Sequence, residues 1–88
     1  MLELSAVQKD ALKKRIRRVC CAMARKMGMT AAFTATGIRV AQGPVAYVFD
    51  LKWNHLSNMW DLYHGDTWLA GAAEYYPSEI ARVVNRGA

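Results

Sequence analysis

What the chain has little of narrows its class. Cysteine occurs twice among 88 residues, as the adjacent pair Cys20 and Cys21. Neighbours on a helix point about 100° apart, so the pair is badly placed for a mutual bridge. A structural zinc site wants spaced pairs, and none exists. A disulfide scaffold is thereby excluded, and a reducing, cytoplasmic location is expected. No apolar run reaches 18 residues and the mean hydropathy is −0.04, which excludes a transmembrane helix. There is no apolar core of a secretory leader near Met1. Residues 9–26 have the basic composition of a transit peptide, but the same segment is needed for the core. Gly-rich phosphate loops, nucleophile elbows and paired carboxylates are all missing. No cofactor, metal or small-molecule substrate is implied, and the chain is expected not to be an enzyme.

What is present is an apolar fraction of 53%, too high for a disordered chain. Starting at Met1 and of this length, residues 1–88 are expected to form one complete domain with a modest core. The charge is lopsided. Residues 1–26 carry eight Lys/Arg against Glu3 and Asp10, a net of +6, while residues 27–88 carry four against five acids, a net of −1. A field concentrated in one segment favours an anionic partner.

That segment reads as a helix. Ser5-Ala6-Val7-Gln8 forms a capping box, and Gly28 supplies a left-handed stop. Leu12, Ile16, Val19, Met23 and Met27 recur at helical spacing and predict a buried stripe. Projection then puts Lys13, Lys14, Arg17, Arg18 and Arg25 on the solvent arc, with Cys21 among them. Arg15 and Lys26 flank the stripe, where their methylenes can cover it.

Downstream the period changes to two. Phe33, Ala35, Ile38 and Val40 predict one bent strand over residues 32–41, with a bulge at Gly37. Gln42-Gly43-Pro44 is a turn, and Val45, Tyr47, Phe49, Leu51 and Trp53 alternate as a half-buried strand. After the polar loop Asn54 to Asn58, Gly65-Asp66 predicts a type II′ hairpin pairing Leu62 with Leu69 and Tyr63 with Trp68. Pro77-Ser78-Glu79 opens a short helix ended by Gly87. The expected fold is α+β: a long basic N-terminal helix, an antiparallel meander of three to four strands, and a short C-terminal helix.

Helix, strands and helix in this order, with Gly43-Pro44 before an apolar strand, resemble the double-stranded RNA-binding domain. The resemblance is one of size and of αβββα element order. The family's lysine cluster at the start of its last helix has no counterpart, because this chain has Tyr75-Tyr76-Pro77-Ser78-Glu79 there.

Two surfaces are candidates. One is the basic arc, Lys13, Lys14, Arg17, Arg18 and Arg25, contacting nucleic acid or the nucleic-acid-accepting groove of a protein complex. Against it stands a helix face that is merely solvated. The other is the open sheet face with Tyr63, Trp68 and Lys52, beside Val48 and Asp61, where the plain alternative is a cross-strand aromatic pair. It suits an inhibitor or adaptor of the kind phages and mobile elements direct at host nucleic-acid machinery, anti-CRISPR proteins among them, with Trp60, Tyr75 and Tyr76 as further contacts. Self-association through an unpaired edge strand is a third expectation. His55 and His64 read as loop-tip residues, and Cys21, amid arginines, as a candidate for a reactive thiol.

Overall fold

A computed structural model describes residues 3–71 and 76–87. Helix α1 (Ala6–Lys26) begins at the expected capping box: the Ser5 hydroxyl accepts from the Gln8 amide at 3.2 Å, and the Gln8 side chain accepts from the Ser5 amide at 2.9 Å. It ends at Gly28, whose φ of 82° is the left-handed stop that a side chain would strain. Five strands follow, β1 (Thr30–Phe33), β2 (Gly37–Gln42), β3 (Val45–Asn54), β4 (Met59–His64) and β5 (Thr67–Ala70), and then helix α2 (Tyr76–Gly87). The strands pair in sequence order as an antiparallel meander. The fold is therefore the expected α+β order with one more strand than foreseen.

The extra strand comes from residues 32–41. They form a tight hairpin, β1 to β2, in place of one bent strand. Phe33 pairs with Ile38, and Thr34 closes the turn by accepting from Gly37 N at its hydroxyl and donating its amide to Gly37 O. Gly37 is needed for a reason other than a bulge. A Cβ there would sit 2.0 Å from the Phe49 carbonyl oxygen on the neighbouring strand. The irregularity in the sheet lies instead between β4 and β5, where Tyr63 pairs with Trp68 as expected but Leu62 pairs with Ala70, not Leu69. One extra residue on β5 accounts for the shift.

Both helices lie on one face of the sheet. Ile38, Val40, Tyr47, Phe49, Leu51, Leu62 and Ala70 point inward and meet Ile16, Cys20, Cys21 and Ala24 of α1 and Tyr76, Ile80 and Val84 of α2. This corrects the predicted stripe, of which Ile16 is buried and Leu12 packs against the core but the other three do neither. Val19 is 50% exposed, and Met23 and Met27 are also in solvent, while Cys21 is only 1% exposed. Helix α1 is turned by more than half of the roughly 100° that separates successive residues. Its small residues Cys20, Cys21 and Ala24 allow close approach, and the large ring of Tyr76 fills the space beside them.

Candidate nucleic-acid interface

The turn of α1 rearranges its cations. Lys9, Lys13 and Arg17, spaced by one turn each, lie along the flank facing the sheet. Each covers an aromatic ring: Lys9 lies 4.9 Å from the Trp53 ring centre, Lys13 is 5.0 Å from that of Trp60, and Arg17 is 4.9 Å from that of Phe33. Periodicity in apolar residues gave no sign of this ladder. The signal available was the i, i+4, i+8 spacing of the cations beside a surplus of strand aromatics.

Three of the five predicted contact residues also bond to the segment around edge strand β1. Arg25 Nη2 donates to Ala31 O at 3.1 Å, Arg17 Nη1 to Thr34 O at 3.0 Å, and Lys13 Nζ to Ala35 O at 3.4 Å. These bonds cover backbone groups that an edge would otherwise offer to another strand. They spend donors without neutralising charge, since a carbonyl carries no net charge. Arg17 Nε is buried with no hydrogen-bond partner among the described residues. Lys14 reaches Asp10 at 3.1 Å in a largely exposed pair, an arrangement worth little in water. Arg18 is exposed, as are Arg15 and Lys26, which do not cover the core as expected.

Lys14, Arg17 and Arg18 converge on one open groove. It runs between α1 and Phe33, has a volume of about 370 Å³, and is floored by Ala11 and the Phe33 ring. Phe33 is 52% exposed although its strand neighbours Ile38 and Val40 are buried. The groove thus combines three cations, no acid among its lining residues, and an aromatic surface open to solvent.

The second surface lies on the opposite, uncovered face of the sheet. Lys52 Nζ sits 4.4 Å from the centre of the Tyr63 ring, and Tyr63 is the cross-strand partner of Trp68, which is 55% exposed. Val48 is exposed nearby, but Asp61 is buried and held by Asn54 Nδ2 at 3.1 Å, so it does not belong to the accessible set. Nor do two of the aromatics assigned to a partner surface. Trp60 faces α1, donating its indole N–H to Lys9 O at 2.9 Å and meeting Trp53 edge to face. Tyr76 is fully buried and donates to the Trp60 carbonyl. Tyr75 lies outside the described residues.

The two histidines stand apart from one another. His64 is packed at the end of β4, 5.3 Å from the Phe49 ring centre and 6.3 Å from that of Tyr47, and is not a loop-tip residue; His55 is in the exposed turn. Among the described residues no three His, Cys, Asp or Glu side chains gather as metal ligands. The Cys21 thiol is pushed up by burial, against the opposing pull of Arg25 and Arg17, and burial with the neighbouring Cys21 raises Cys20 to about 12. Cys21, expected on the solvent arc and considered there as a candidate reactive thiol, is therefore a core side chain whose burial favours the protonated form. No helix among the described residues is long and apolar enough to cross a membrane.

No protein-family model, no curated protein and no solved structure matches this chain. The five-strand sheet also parts from the double-stranded RNA-binding domain, which has three strands.

Proposed function

We propose that this protein is a non-catalytic binder that docks the groove between α1 and Phe33 on a phosphate-bearing polymer. The observation that carries the proposal is the convergence of Lys14, Arg17 and Arg18 on a groove whose lining contains no acid. Lysine and arginine side chains displace the counterions condensed on the phosphates, so affinity is expected to fall steeply with salt. Lys14 and Arg18 make the principal contacts, because their charge is accessible. Lys13, Arg17 and Arg25 contribute field while their hydrogen bonds hold the helix against β1.

The test is binding of labelled single-stranded DNA, duplex DNA and duplex RNA between about 50 and 200 mM salt. A log–log slope of about 2 to 3, as three cations would give, lost in the Lys14→Glu/Arg18→Glu double variant, is the expected result. Absence of binding to all three at the low-salt end overturns the proposal.

A second reading is favoured by the grouping of Lys52, Tyr63 and Trp68 on the uncovered sheet face. Exposed Trp and Tyr with an adjacent cation suit a protein partner, as in an inhibitor of nucleic-acid machinery. In that case Trp68→Ala abolishes capture of the partner, while the Lys14 and Arg18 reversals mostly slow association.

A further inference from the structure

The groove is not a plain phosphate track, because its floor is apolar. Duplex backbones offer phosphates and sugars to a protein surface and keep their bases stacked inside. An exposed ring beside cations instead matches a strand whose bases are free to leave their neighbours. Phe33 is such a ring. Arg17 covers part of it at 4.9 Å, and half of the residue remains in solvent. Burying it against α1 would have been the ordinary outcome for a phenylalanine next to a core strand. Here the hydrogen bond from Arg17 to Thr34 O holds the guanidinium between helix and ring, and the aromatic surface stays outside. Lys14 and Arg18 project from the helix one turn apart on the other wall, a spacing of about 6 Å along the axis. That is close to the distance between successive phosphates of an extended strand.

We infer that the groove binds single-stranded nucleic acid, with a base stacked on Phe33 and consecutive phosphates on Lys14 and Arg18. This rests on the proposed polyanion-binding role and adds strand selectivity to it. Stacking gives little sequence preference, because every base presents a π face. The protein is therefore expected to discriminate single strands from duplexes more than one sequence from another.

The experiment compares three fluorescein-labelled DNA probes at fixed low salt: an oligothymidine of about 12 nucleotides, within the span typical of single-strand grooves, an abasic strand with the same number of phosphates, and a duplex of the same length. The parent is expected to bind oligothymidine about tenfold more tightly than the abasic strand, the scale of one base–aromatic stack. Phe33→Leu should bring oligothymidine down to the abasic level without changing abasic binding, and Phe33→Trp should keep the difference. Thermal unfolding of each variant confirms that it is folded. Equal binding of oligothymidine and the abasic strand by the parent overturns the stacking inference while leaving the polyanion role intact. So does tighter binding of the duplex. Failure to bind any probe overturns both together. Should Phe33→Leu not fold, the parent's two affinities and the Phe33→Trp variant still decide the matter.

Discussion

At the scale of single residues, the buried protons of Cys20 and Tyr76, with Cys21 shifted in the same direction, couple stability to alkaline pH. Burial and the adjacent Cys21 raise Cys20 from its ordinary value near 9.0 to about 12. Burial, with Asp61 and Cys20 adding to it, raises Tyr76 from 10.0 to about 12. Both groups hold their protons more tightly folded than unfolded. Stability from this source is complete below pH 9, falls as the unfolded chain ionises, and is lost as pH rises through about 12. Urea unfolding between pH 7 and pH 11 should therefore show a midpoint that is level and then declines. Tyr76→Phe is expected to cost about 1–2 kcal/mol at neutral pH, because the Trp60 carbonyl loses its donor. It should also flatten the alkaline decline. A decline of unchanged steepness in that variant would mean that Tyr76 ionises as freely folded as unfolded.

At the scale of elements, the rotation of α1 and the close approach of two strands each carry a stability test. Ile16 is in the core and Val19 is on the surface, although both belong to one apolar stripe in sequence. Ile16→Ala is expected to cost about 2–5 kcal/mol, the usual range for emptying a packed site. Val19→Ala should change stability by less than about 0.5 kcal/mol. Chemical denaturation of the two variants distinguishes this rotation from the one periodicity suggests, since equal costs would restore the stripe. Gly37→Ala should destabilise by more than about 3 kcal/mol, because the added carbon meets the backbone oxygen of Phe49, which cannot turn away. A near-neutral effect there would mean that β2 and β3 are farther apart than described.

At the scale of the whole molecule, one set of cations serves two ends. Lys13, Arg17 and Arg25 join α1 to the edge of the sheet through carbonyl bonds, and Lys9 joins it to the other end of β3 through Glu3 and Trp53. The N-terminal helix is thus clasped on its polar flank as well as its apolar one. Arg17→Glu is expected to lower the thermal midpoint by several degrees, because it removes a bond and a stacked cation and leaves a carboxylate facing the Thr34 carbonyl. The Lys14→Glu/Arg18→Glu pair should leave the midpoint within a degree or two, since neither side chain bonds to another element among the described residues. Differential scanning calorimetry of both variants separates the structural cations from those available to a ligand. Similar losses in both would merge the two roles.

The sequence by itself determined the local features: the capping box and stop of α1, the alternating strand β3, the Gly65-Asp66 hairpin, and the concentration of charge in the first 26 residues. Each depends on a few neighbouring residues, so each was legible as a pattern. Tertiary structure decided which face of α1 is buried. The larger aliphatic side chains of α1 marked one stripe, but packing favoured a face that includes the small residues Cys20, Cys21 and Ala24, with Tyr76 from the other end of the chain closing over them. It also decided the fate of the basic arc. Lys13 and Arg17 project to solvent on an isolated helix, yet the β1–β2 turn brings carbonyls and Phe33 beneath them. That groove joins residues 11–18 to residue 33 across a hairpin that no local pattern announced, and contacts between separate elements are written only in the folded chain.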